Sequence, residues 1–141
     1  MLRIATIEDI DEILSMTFNF VETTNYAKFY SKDKLKDLAS VFLQSDVNDR
    51  IVLVHEGKGF LAGAKSQFLF GECFSATEVA WWVNPEERKN GIGDELLEGF
   101  EYWAKSVGCS FITMISIDDL VSKFYEKKGY KLYERAYFKE L

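Results

Sequence analysis

The sequence predicts a single mixed α/β domain, and three observations carry that expectation. Short β-branched or aromatic runs such as "RIVLVHE" alternate with stretches whose apolar residues recur at helical spacing. Three strand-like runs follow one another with only turn residues between them, the signature of a meander. The length, 141 residues, suits one hydrophobic core, and no repeat, linker or low-complexity segment divides the chain. One domain is therefore expected over residues 1–141.

Leu2 to Ala5 reads as a short edge strand. Thr6 is a good N-cap, and Asp9 stands three positions on, where a capping box places its acid. Ile7, Ile10, Ile13, Leu14, Thr17 and Phe18 then form the apolar stripe of a first helix. Asn19 to Tyr30 has no clean period and reads as an irregular aromatic segment. Ser31 caps a second helix, striped by Leu35, Leu38, Ala39, Phe42 and Leu43. Arg50 to Glu56 is a β-branched, buried strand. Gly57 to Gly59 is hairpin chemistry, Phe60 to Phe70 the returning strand, and Thr77 to Val83 the third of the meander.

After the turn "NPEERKNGIG", the residues Ile92, Leu96, Leu97, Phe100, Trp103 and Ala104 mark a long helix that Gly108 ends. Ser110 to Ile117 is a buried strand. Asp118 or Asp119 caps a further helix carrying Leu120, Val121, Phe124 and Tyr125, closed by Gly129. Tyr130 to Leu141 alternates and reads as a last strand. The order is β-α-α-β-β-β-α-β-α-β, about six strands and four helices.

Composition narrows the function. A net charge of −6 repels phosphate backbones, which disfavours nucleic acid and favours a cationic acceptor. No apolar stretch is long enough to span a bilayer, so no membrane partner is expected. Cys73 and Cys109 form neither a disulfide framework nor a metal spacing, and a reducing, cytoplasmic setting with no metal follows. Aromatic residues make up 16% of the chain, enough to line a cleft as well as a core. His55 precedes a hairpin turn and reads as a surface residue.

The turn between the third meander strand and the long helix holds the clearest chemistry. The first amides of a helix lack intrahelical partners and sit at the positive dipole end. Gly91 and Gly93 remove side chains that would keep a phosphate away from them, and Arg88 and Lys89 add positive charge. Two glycines alone fit a plain left-handed turn equally well. The dinucleotide and nucleoside-triphosphate fingerprints are absent, since Leu96 stands where the former needs a third glycine.

Arg88-x-x-Gly91-x-Gly93, preceded by "WWVNPEE", resembles motif A of the GNAT superfamily of acyl-CoA N-acyltransferases. The downstream "FYEKKGY", Phe124 to Tyr130, is similar to that family's "LYEKLGF" motif. The element order matches the same fold over essentially the whole chain, and the chain looks most like small GNAT acetyltransferases of bacteria and phages. The resemblance implies a mostly antiparallel, mixed central sheet flanked by helices. It implies acetyl-CoA as cosubstrate and transfer to a primary amine of a small molecule or protein by direct attack in a ternary complex.

The resemblance also assigns residues. The amides of Lys89, Asn90, Gly91, Ile92 and Gly93 would receive the pyrophosphate beside Arg88. The strand ending at Val83 would splay from the one at Ser110 to Ile117, and the pantetheine arm would bond main chain near Trp82 and Val83. Tyr125 stands at the general-acid position, although its helix could equally use it as a core aromatic. Glu78 is the candidate base, a solvated strand-end carboxylate being the plain alternative. Period-2 alternation puts Glu78, Ala80 and Trp82 on one face unless a family-like bulge near Ala80 intervenes.

Phe20, Glu22, Tyr26, Phe29 and Tyr30 fall where relatives build the acceptor pocket; a solvated loop with tucked aromatics is the alternative. Three residues depart from the pattern. Asp118 replaces a common Asn and Val121 a common Ala, both near the expected CoA arm. Asp94 opens the long helix, where its charge would repel a pyrophosphate unless it points away. A catalytically silent CoA-binding module of the same fold is the alternative function; a toxin acting on charged tRNA would need a basic surface. The alternating C-terminal strand offers an edge for a homodimer.

Overall fold

The computed structural model describes residues 1–141. Its five strands are β1 (Leu2–Ile4), β2 (Arg50–His55), β3 (Gly59–Gln67), β4 (Phe74–Val83) and β5 (Cys109–Thr113). The four helices are α1 (Ile10–Glu22), α2 (Lys32–Gln44), α3 (Ile92–Ser106) and α4 (Asp119–Lys127). The sheet runs β1-β2-β3-β4-β5, antiparallel except for the β4/β5 pair. This is the mixed α/β architecture that the sequence predicts.

Helices cover both faces of the sheet, which is why β2 reads as a continuous apolar run rather than an alternating one. On one face, Ile51, Leu53, Leu61, Ala76 and Val83 pack against Ile92, Leu96, Phe100 and Trp103 of α3. On the other, Val52, Val54, Phe60 and Ala62 meet Ile13 and Met16 of α1, with Phe42 and Leu43 of α2 close by. Phe60, Leu61, Leu96 and Phe100 are 0–1% exposed, and burial of such side chains contributes about 1.5–3 kcal/mol each. The first helix starts as expected: the Thr6 N–H donates to Asp9 Oδ2 at 2.8 Å, and Arg3 clasps the same carboxylate with two hydrogen bonds.

Three expectations need correction. Tyr130 to Leu141 forms no strand; the segment runs over the surface, with Lys28 paired to Glu140 and Phe29 facing Phe138 at 6.5 Å. Its alternation breaks at Leu132–Tyr133 and again at Tyr137–Phe138, so no single face stays apolar. The strand predicted to reach Ile117 ends at Thr113, because β5 pairs with β4 only through Thr77↔Thr113. His55 is buried at 7% exposure, with Nε2 3.3 Å from a Glu95 carboxylate oxygen. Being last in β2 places it under the first turn of α3 rather than at the surface.

Candidate active site

β4 sets the site through one extra residue. Gly63 of β3 pairs with Glu78 and Ala62 with Ala80, so Val79 is left unpaired as a bulge and is 41% exposed. The bulge reverses the face assignment that strict alternation gives. Glu78 joins Trp81 and Val83 on the α3 face, while Ala80 and Trp82 pack on the α1 side. Opposite Glu78 the sheet has a glycine, and a Cβ on Gly63 would lie 2.2 Å from Phe100 Cε1. Phe100 thus fills the space beside the carboxylate.

Glu78 is 5% exposed. Burial pushes its carboxyl up to about 7, and a hydrogen bond from the Ile115 main-chain N–H holds it back only in part. From Glu78 onward β4 has no β5 partner, and the chain beyond Thr113 turns away. That separation is the splay expected between these strands. It brings the Ile115 peptide to the mouth of the split, where the Tyr125 hydroxyl donates to the Ile115 carbonyl at 3.0 Å. Tyr125 is itself 6% exposed, and burial, then the charges of Glu78 and Tyr130, drive its hydroxyl well above the usual phenol range.

Glu78 and Tyr125, distant in sequence, meet the main chain of the same residue, Glu78 at the Ile115 N–H and Tyr125 at the Ile115 carbonyl. Tyr125 is seated by rings: Trp81 lies 5.8 Å away, Tyr130 5.7 Å and Phe124 6.1 Å between centroids. Trp81 spans the split from sheet to α4. Its indole N–H is buried without a partner, and its Cζ2 would touch a Cβ on Gly93 at 3.4 Å. That is an ordinary contact distance, so packing on Trp81 does not by itself demand a glycine at Gly93.

Gly91 precedes α3 at φ 80°, in the left-handed region, and a Cβ there would meet nothing within 4 Å. Around it the N–H groups of Lys89, Gly91, Ile92, Gly93 and Asp94 donate to no main-chain carbonyl. Asn90 does not share this freedom: its N–H donates to Glu87 at 3.1 Å and its side-chain amide to Glu87 Oε2 at 2.8 Å. Arg88 Nε donates to the Val83 carbonyl at 2.9 Å, and the guanidinium lies 4.7 Å from the Trp82 ring centroid. Arg88 thus ties the turn to the strand end. The Trp82 indole donates to Asn84, away from the split.

Asp118 stands at the start of α4. Its carboxylate caps α4, accepting from the Val121 N–H at 2.8 Å. Asp94 pairs with Lys128 at the end of α4. Of the acceptor-side residues, Glu22 ends α1, Tyr26 and Phe29 are exposed, and Tyr30 packs edge-on against Phe18 at 5.1 Å. No hydrogen bond or ring pair joins them to Tyr125 or Glu78. Residues the sequence does not single out are Ile115, acting through its main chain, Trp81 and Lys128. The aromatic pair "WW" is the signal for Trp81, Lys128 lies within the "FYEKKGY" stretch, and no local pattern marks Ile115.

The sequence profile of the acetyltransferase (GNAT) family matches residues 7–130. The chain belongs to that family. Among solved structures, a Trypanosoma brucei acetyltransferase is 21% identical with a TM-score of 0.75, covering 100% of this chain and 99% of its own. A GNAT family acetyltransferase of Staphylococcus aureus is 21% identical, with a TM-score of 0.71 and coverage of 100% and 98%. A Bacillus halodurans protein described as a transcriptional regulator is 21% identical, with a TM-score of 0.78 and coverage of 100% and 99%. Their likeness to this chain is one of fold. No protein of curated function matches it in sequence.

Proposed function

We propose that this chain is an N-acyltransferase that moves an acetyl group from acetyl-CoA to a primary amine by direct attack within a ternary complex. The observation that carries the reading is the convergence of Glu78 and Tyr125 on the Ile115 peptide, at the mouth of a split sheet with free helix-start amides beyond it. The residues present fit acetyl-CoA: the cluster of free amides suits its diphosphate, and the unpartnered Trp81 N–H suits a polar arm lying in the split. Gly91, Ile92, Gly93 and Lys89 would hold the diphosphate, and main chain near Trp82 and Val83 the pantetheine. When bound, acetyl-CoA supplies a thioester activated toward amines.

The chain's own groups do the rest. Glu78, poised near neutrality, takes a proton from the acceptor ammonium, directly or through one water, and leaves a nucleophilic amine. As the C–N bond forms and the C–S bond breaks, Tyr125 gives its proton to the departing sulfur, and the second proton, shed by the new amide nitrogen, restores the Tyr125 hydroxyl. Its phenol is held in the protonated form that this role requires. Neither Cys73 nor Cys109 is placed as a nucleophile: burial raises the Cys109 thiol, with Lys65 opposing, so an acyl-enzyme route has no candidate. The acceptor is an amine, cationic before it reacts, entering beside Glu22, Tyr26, Phe29 and Tyr30. Two free thiols suit a reducing, cytoplasmic setting, and no helix is long and apolar enough to cross a membrane.

Calorimetric titration with acetyl-CoA, followed by thiol release with a panel of primary amines, tests the reading. Binding with amine-dependent thiol release is expected. Binding with no release from any amine would favour a silent CoA-binding module, and no binding would overturn the reading.

A further inference from the structure

The first turn of α3 carries two carboxylates, Asp94 and Glu95, at the helix end where the free amides gather. Such residues stabilise a helix start, but each would repel a diphosphate brought to the same amides. In this fold both are met by a base from another element. Glu95 faces His55 Nε2 at 3.3 Å, from the end of β2. Asp94 pairs with the Lys128 ammonium, from the residue that follows the last turn of α4. Lys128 is drawn to this place by more than Asp94. Glu98 and Glu101 follow Asp94 at helical spacing along α3, and Asp94, then these two, raise the Lys128 pKa.

The Lys128 ammonium also lies 5.6 Å from the Phe124 ring centroid. It therefore sits at the joint between the anion-binding turn and the helix that carries Tyr125. We propose that Lys128 is a positioning residue of the cosubstrate site, which cancels the charge of Asp94 and keeps that carboxylate turned away, so that the amides around Gly91 can accept a diphosphate. The inference rests on the acyl-CoA reading above. It accounts for how a helix opening with Asp94 serves an anion site at all. The pair is part-exposed, with side chains 36% and 43% accessible, so its effect is screened and modest.

A double-mutant cycle read on acetyl-CoA affinity by calorimetry tests it. Lys128→Gln strands Asp94 beside the phosphates and is expected to weaken binding about two- to fivefold. Asp94→Asn removes the repulsion and leaves affinity equal or tighter. The double variant returns to within about twofold of wild type, and Lys128→Arg keeps wild-type affinity. S-acetylpantetheine, which lacks the phosphates, serves as the control donor: its kcat/KM is the same for all four variants.

Equal acetyl-CoA affinity in wild type and Lys128→Gln would overturn the inference. So would a Lys128→Gln loss that Asp94→Asn fails to reverse, or one that S-acetylpantetheine shares, since either would mark a purely structural contact. Failure of the wild type itself to bind acetyl-CoA is a different result and would overturn the acyl-CoA reading instead.

Discussion

The Tyr125 hydroxyl donates to the main-chain carbonyl of Ile115 at 3.0 Å, and the N–H of that same Ile115 faces the buried carboxyl of Glu78. One residue just past the end of β5 thereby spaces the candidate acid from the candidate base. The arrangement depends on the β4 bulge, which turns Glu78 inward, and on β5 ending at Thr113, which frees Ile115.

As the proposed base, Glu78 should make activity depend on pH. Its folded value, about 7, lies above the ordinary 4.5, so the native state holds the extra proton between those limits. The carboxylate needed as a base therefore forms as pH rises through about 7. The kcat/KM profile for acetyl transfer should show a rising limb with that midpoint, and Glu78→Gln should lower the rate and abolish the limb. Linkage sets the opposite sign for stability: the Glu78 contribution falls as pH rises from about 4.5 to 7. Glu78→Gln should flatten that part of a denaturation-versus-pH curve.

Tyr125→Phe removes the proposed acid and keeps the ring. Turnover should fall about 10²- to 10⁴-fold, the usual range for a lost proton donor, while acetyl-CoA affinity stays put. The raised phenol also predicts no alkaline fall in activity from Tyr125 across the neutral range. Steady-state kinetics beside calorimetry separates these outcomes; unchanged turnover would return Tyr125 to the role of a core aromatic.

Gly91→Ala places a side chain on a residue with φ 80°, at a backbone cost of about 1–2 kcal/mol. No protein atom lies within 4 Å of the added Cβ, so the group projects into open space at the turn. Acetyl-CoA affinity should drop by about tenfold or more as the free amides shift. A lower melting temperature with unaltered affinity would dissociate this turn from the cosubstrate.

Gly63→Ala should destabilise the fold, because its Cβ would lie 2.2 Å from Phe100 Cε1 in a ring that is 0% exposed. Overpacking of this kind costs about 1–3 kcal/mol, readable as a lower urea midpoint. Phe100→Leu in the same background should recover part of the loss. It should also lower the midpoint of the Glu78 limb by admitting water beside the carboxylate.

Much of this was legible in the sequence for physical reasons that can be named. Helical spacing and caps located α1 to α4, and glycine chemistry located the turn at Gly91. Local pattern failed where tertiary contacts decide. Glu78 changes face because of a bulge at Val79 that alternation cannot show. His55 is buried by a helix distant in sequence, and the pairing of Asp94 with Lys128 depends on how α4 packs. Tyr130 to Leu141 reads as a strand by its alternation, yet that alternation is broken and the segment lies along the surface.

A crystal structure with CoA tests the central claim most directly. The account predicts the diphosphate against the amides of Gly91, Ile92, Gly93 and Asp94, the pantetheine between β4 and residues 114–117, and the thiol within hydrogen-bond reach of the Tyr125 hydroxyl. A thiol emerging away from both Tyr125 and Glu78, or a diphosphate seated anywhere but the start of α3, would contradict it.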